Sequence, residues 1–222
     1  MGFEPETYYL GPNKHCPNND MPVLIYRDCL PLPLSEAKTT EFLESHAWEK
    51  KGTWGHISYR HFHPNTHECY GKKPLSPLGQ SNAFFTLLLN FESCTGVFQG
   101  ESRILVGCGK NDTSGGEEIE VHAGDVIVLP AGTGHCSLQS SADYRYIGVY
   151  PEVKQTPRLR DWWFPFVFTH MVRFQGAPKW RSELGKDEVG DSFRQEIQAV
   201  ALPVQDPVNG SEGPLLKLWR KT

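Results

Sequence analysis

The 222-residue sequence predicts an all-β fold, and three observations carry that expectation. Short alternating or β-branched runs recur between Gly-containing turns from residue 54 to residue 150. The 21 glycines and 17 prolines punctuate the backbone too often for a bundle of long helices. An apolar share typical of globular chains, over this length, is enough to bury one real core. Many short strands with frequent turns suggest a β-sandwich or small barrel.

Taken in order, residues 1–34 are rich in Pro and Asn and hold one strand-like run, Val23-Leu24-Ile25-Tyr26. Ser35 is placed to cap a helix that runs to about Lys51 and ends at Gly52, with Phe42, Leu43 and Trp48 as its apolar stripe. Residues 1–53 therefore read as an N-terminal arm and helix. The strand runs follow: Trp54–Phe62, Val97–Val106, Ile119–Val121, Asp125–Leu129, Cys136–Gln139 and Tyr144–Tyr150. These make 54–151 the β core. In the C-terminal extension, 152–222, the polar segment Arg181–Gln198 reads as helical, and Gly213–Trp219 reads as a last strand docking back. Two apolar-aromatic stretches, Ala83–Phe91 and Trp162–Val172, break the rhythm.

Composition excludes several classes. A net charge of −4 with no Lys/Arg cluster argues against a nucleic-acid partner. No window approaches the ~18 apolar residues of a membrane span. Six cysteines without a CxxC pair, behind an acidic rather than basic-apolar start, lead us to expect reduced thiols and a cytoplasmic protein.

Candidate chemistry lies in two windows. In His61-Phe62-His63-Pro64-Asn65-Thr66-His67-Glu68, strand alternation lets His61 and His63 turn two imidazoles to one side, and a turn at Pro64-Asn65 can bring the Glu68 carboxylate back over them. In Gly124–His135, a strand meets a Pro/Gly turn that presents His135 at the start of the next strand. An HxH pair alone is also compatible with two surface or core imidazoles.

Together the windows resemble the two cupin motifs. Gly55, five residues, His61-x-His63, four residues and Glu68 follow the first; Gly124, five residues and Pro130-x-Gly132-x-x-His135 follow the second. Gln139 departs from the usual closing Asn. More narrowly, HxHxxxHExxG, Val128–Gly132, Gly148-Val149-Tyr150-Pro151 and the tail Leu202-Pro203-x-x-Asp206-Pro207-Val208 are similar to the YjlB-type single-domain cupins.

The resemblance implies a single jelly-roll barrel (double-stranded β-helix) with an N-terminal helix and a C-terminal extension. It implies one divalent transition metal (Fe, Mn, Ni or Zn) bound by His61, His63, Glu68 and His135, with open positions for a small-molecule ligand. Tyr59, Tyr70 and Gln139 are candidate ligand-binding residues, with core packing the alternative for the two tyrosines. His67 points outward by alternation, with proton transfer beside the metal as the other reading. Cys69 and Cys136 read as packing residues. A homodimer is expected by analogy with cupins.

The first motif expects six residues between its glutamate and a glycine. After Glu68-Cys69-Tyr70-Gly71 that count fails, and omitting 72–96 restores it as Cys69-Tyr70-Gly71-Val97-Phe98-Gln99 and Gly100. Gly71-Lys72 is codable as a splice donor and Thr95-Gly96 as an acceptor, with pyrimidine-rich Phe and Leu codons between; Val153–Gln175 repeats the pattern. Segments 72–96 and 153–175 thus read as translated short introns of a fungal gene, the alternative being genuine loops. The functional reading is a metal-dependent enzyme, an oxygenase or an isomerase or lyase, on a small polar metabolite. The alternatives are a non-catalytic metal- and ligand-binding cupin or the inactive product of a mis-spliced gene.

Overall fold

Two antiparallel sheets account for most of the structure, a computed structural model that describes residues 2–63, 93–113, 115–151 and 193–220. Glu68, His67, Tyr70, segment 153–175 and the runs Ala83–Phe91 and Trp162–Val172 lie outside the described residues. The elements in chain order are β1 (Glu6–Tyr8), β2 (Val23–Tyr26), α1 (Glu36–Glu44), β3 (Trp48–Trp54), β4 (Ser93–Gln99), β5 (Glu101–Val106) and β6 (Glu117–His122). They continue with β7 (Val126–Leu129), β8 (His135–Ser140), β9 (Arg145–Pro151), α2 (Arg194–Gln198) and α3 (Leu215–Leu218). The larger sheet runs β1-β2-β7-β4-β9-β3 and the smaller β6-β5-β8.

Both faces of the larger sheet are covered, which explains why β2 (VLIY) and β7 (VIVL) are apolar without a break. On one face Leu24, Tyr26, Val126, Val128, Cys94, Ile147 and Val149 pack under Leu43 of α1, Leu215 of α3 and Trp219. On the other, Val23, Ile25, Ile127, Leu129 and Val97 meet Ile104, Val106, Ile119 and Val121 of the smaller sheet. Each such aliphatic side chain contributes roughly 1.5–3 kcal/mol by leaving water. Strand β6, covered on one side only, alternates Glu118, Ile119, Glu120, Val121 as exposed and buried.

Several sequence expectations shift. Ser35 does cap the helix, its hydroxyl accepting from the Lys38 N–H at 3.3 Å, but α1 ends at Glu44 rather than near Lys51. Ala47 then takes a positive φ of 63°, and residues 48–54 become β3, paired with β9 from Trp48 opposite Pro151 to Trp54 opposite Tyr146. Trp48 therefore belongs to a strand, its indole N–H donating to the Gln205 carbonyl at 3.0 Å. The run Trp54–Phe62 is strand only at its start; beyond it the chain lies along β8, touching through His61 and Ile57. Val97–Val106 is two strands split at Gly100, β4 in the larger sheet and β5 in the smaller. The tail is the helix α3, not a strand: Leu215 with Leu218 and Trp219 recurs at three and four residues, the period of a helix face. Of Arg181–Gln198, the described part is helical from Arg194 to Gln198. Segment 72–96 is not wholly a loop either, because Ser93–Gly96 opens β4 between β7 and β9.

Candidate metal centre

Histidines from the two sequence windows meet across one β-bridge. His61 N–H donates to the His135 carbonyl at 3.1 Å, and His135 N–H returns a bond to the His61 carbonyl at 3.0 Å. The pairing extends at Ser137, whose N–H reaches the Ile57 carbonyl at 2.6 Å, so residues 57–61 flank the free side of β8. His135 stands opposite Val106 in β5, and Val106 packs between the sheets, so His135 shares the interior face.

The imidazoles are close. Ring centroids lie 4.1 Å apart for His61 and His135, and 5.8 Å apart for His61 and His63, the latter edge-on. Two imidazoles on a common ion have centroids at most ~6 Å apart, given metal–nitrogen bonds near 2.0–2.1 Å. Both separations fall under that limit. His61 and His63 are buried, and His135 is half-buried.

Tautomers are set by the backbone. His61 Nδ1 lies 3.1 Å from the Tyr59 carbonyl, and His135 Nδ1 lies 3.0 Å from the Thr133 carbonyl. A carbonyl only accepts, so each Nδ1 carries the proton and each Nε2 the lone pair. This tautomer suits coordination of a metal through Nε2. Among the described residues, no group of three or more His, Cys, Asp or Glu side chains is arranged as around an ion. The three imidazoles thus cluster through His61, which approaches each of the other two, and the tautomers of His61 and His135 suit coordination.

The turn that delivers His135 is held from both sides. Gly132 has a φ of 80°, and its N–H donates to the His63 carbonyl at 2.8 Å, tying the second window directly to the first. Glycine is required there by φ, and a Cβ at 132 would stand 2.4 Å from Ile197 Cδ1, so α2 packs closely on the turn. Phe62, Ala131, Phe193 and Ile197 form a separate apolar cluster here, with Phe62 and Phe193 edge-to-face at 5.5 Å. Sequence reading passed over Phe193 and Ile197, because their contact with Phe62 spans some hundred and thirty residues of chain. At the start of β7, buried Asp125 accepts from Arg27 Nη1 at 2.9 Å, His122 N–H at 3.0 Å and Asp28 N–H at 3.1 Å, holding the Gly124 corner.

The remaining candidates separate. Tyr59 is 43% exposed, with its ring 5.5 Å from that of His61, at the open side of the cluster. Gln139 lies on the opposite face from His135. The register passes from Ile104–Ser137 to Arg103–Gln139, so Leu138 is an extra residue and the alternation reverses there. Gln139 consequently lines a polar surface hollow with Arg103, Glu120 and His122. Cys136 is buried beside Leu105 and Cys108. Desolvation raises its thiol pKa, which suits packing more than reactivity. No helix among the described residues is long and apolar enough to cross a membrane.

No family model matches the chain. Among solved structures, hazelnut (Corylus avellana) vicilin aligns with a TM-score of 0.26 and 12% identity, over 63% of this chain and 31% of that one. Across its full length the chain is similar to YjlB, an uncharacterized protein of Bacillus subtilis (strain 168), at 26% identity over 223 residues covering 100% of each.

Proposed function

We propose that the chain is a metal-binding cupin of the YjlB type, working as a metal-dependent enzyme on a small polar metabolite. The observation that supports this reading most is the bridge between His61 and His135, which sets imidazoles from both motifs side by side with Nε2 carrying the lone pair. The mostly β architecture of two facing antiparallel sheets is compatible with a jelly roll.

In this reading His61, His63 and His135 hold one divalent transition ion (Fe, Mn, Ni or Zn), with Glu68 as the carboxylate ligand. When bound, the ion supplies Lewis acidity toward a carbonyl or enolate oxygen of the ligand. The chain's own contributions are distinct. The Tyr59 and Thr133 carbonyls keep the protons of His61 and His135 on Nδ1. The cluster of Phe62, Ala131, Phe193 and Ile197 fixes the turn and keeps water from its outer side. Tyr59 offers a hydroxyl at the open side for a polar substrate.

The test is metal content by plasma mass spectrometry on the 222-residue chain and on a 174-residue version lacking 72–96 and 153–175. Near-stoichiometric transition metal in either form, reduced at least tenfold by His61→Ala or His135→Ala, is expected. Metal in neither form, with both folded, overturns the reading. Turnover is then separated from binding by oxygen uptake or product formation with candidate metabolites; unchanged ligand would favour the non-catalytic alternative.

A further inference from the structure

One Asn-Gly step occurs in the sequence, at Asn209-Gly210. Such a step is prone to a reaction that needs no enzyme. The glycine nitrogen, unhindered by a side chain, attacks the asparagine Cγ; the bond from Cγ to the amide nitrogen breaks and ammonia leaves. Water then opens the resulting five-membered imide, giving aspartate or, through the other carbonyl, isoaspartate. Both reacting groups are held in this fold. The Gly210 N–H donates to the Asp206 carbonyl at 3.0 Å, and the Asp206 N–H returns a bond to the Gly210 carbonyl at 2.9 Å. The Asn209 carboxamide is engaged at both ends by the backbone of one residue of the N-terminal arm. Its Oδ1 accepts from the Phe3 N–H at 2.8 Å, and its Nδ2 donates to the Phe3 carbonyl at 2.8 Å. A Cβ at Gly2 would stand 2.8 Å from Oδ1, so the arm lies tight against the carboxamide.

We propose that Asn209 is a deamidation site gated by the N-terminal arm. While residues 2–3 are seated, their two hydrogen bonds keep the carboxamide from turning toward the Gly210 nitrogen. When the arm lifts, the side chain is freed, and the bridge to Asp206 is what still restrains that nitrogen. The product does not take the arm back. An aspartate side chain only accepts, so the bond to the Phe3 carbonyl is lost and a carboxylate oxygen is set against a carbonyl oxygen. An isoaspartate goes further, adding a methylene to the backbone inside the bridge between Asp206 and Gly210 and breaking its register. One opening of the arm is thus recorded covalently where the two ends of the described chain meet. The gate owes nothing to the metal-centre reading.

The test is peptide mapping by mass spectrometry during incubation of the full chain at mildly alkaline pH, reading the mass gain of amide-to-acid conversion at residue 209. The chain in urea gives the ungated rate, and the native chain is expected to convert at least tenfold more slowly. Phe3→Pro removes the N–H that bonds Oδ1 and is expected to convert at least threefold faster than the native chain. Gly2→Val, which crowds Oδ1 and leaves every other backbone donor in place, is expected to do the same, so the test survives a Phe3→Pro chain that fails to fold. In Asn209→Asp, hydrogen exchange over residues 2–8 is expected to rise at least fivefold while exchange in β5 stays unchanged. Native and unfolded chains converting at one rate, or folded variants converting no faster than the native chain, overturns the gate. Exchange in Asn209→Asp that is unchanged over residues 2–8, or raised in β5 as well, overturns it too.

Discussion

Buried thiols give this protein an alkaline weakness. Cys16, Cys29, Cys94, Cys108 and Cys136 are free and buried. Desolvation pushes the Cys16 and Cys29 thiols up to about 12 and that of Cys94 well above its ordinary value of 9.0. In the unfolded chain these groups ionise near 9, while in the folded one they stay neutral. Their stabilising contribution is complete below pH 9 and is lost as pH climbs toward the folded values, at about 1.4 kcal/mol per protected thiol by pH 10. Urea unfolding between pH 8 and pH 10.5 is expected to show a falling free energy, with a shallower slope in Cys94→Ala. A flat profile would contradict the burial. On the acid side, hydrogen bonds from Lys50 and Thr53 hold the half-buried Glu36 carboxyl below its usual value. That contribution fades as pH falls below about 4, and exposure keeps it small.

At the scale of elements, α1 crosses β4 closely at Gly96. Gly96→Ala is expected to cost about 1–3 kcal/mol by overpacking against Thr39 and Leu43, measured as a lowered midpoint of denaturation. An unchanged midpoint would mean that α1 can lift off β4. Legibility in the sequence followed locality. Strands β2 and β7 were readable because burial on both faces leaves an unbroken apolar run, and the Ser35 cap because it acts within three residues. The end of α1 was not, since Trp48 is drawn into β3 by β9, a hundred residues away. Strand β1 was not either; Glu6-Thr7-Tyr8 is a short edge with little buried. In the candidate site, alternation and a Pro/Gly turn pointed to His61, His63 and His135. Gln139 could not be placed that way, because the bulge at Leu138 is a property of its pairing with β5. Phe193 and Ile197 left no local signal at all.

Over the whole molecule, the C-terminal region works as a clasp. Asp206, fully buried, accepts from the Tyr26 hydroxyl at 2.5 Å and from the Val208, Asn209 and Leu215 N–H groups at 2.8, 2.9 and 3.0 Å. Trp219 lies in the core and donates its indole N–H to the Pro22 carbonyl at 2.9 Å. Asp206→Ala leaves those donors unsatisfied and is expected to cost about 3 kcal/mol in chemical denaturation, against about 1 kcal/mol for Tyr26→Phe. Equal losses would mean that the hydroxyl, not the carboxylate's grip on the tail, matters most.

The clasp also bears on how the chain is made. Leu24 and Tyr26 of β2 are translated early, yet the Leu215 and Trp219 that cover them leave the ribosome after every described strand. During synthesis the part of that face which Leu215 and Trp219 cover, beside the part under Leu43 of α1, stays open until those side chains arrive, a span in which nascent chains are open to chaperones and to sticking together. A stop codon or stall shortly before residue 206 would leave all nine described strands in the chain and still deny the sheet the part of its cover that Leu215 and Trp219 supply.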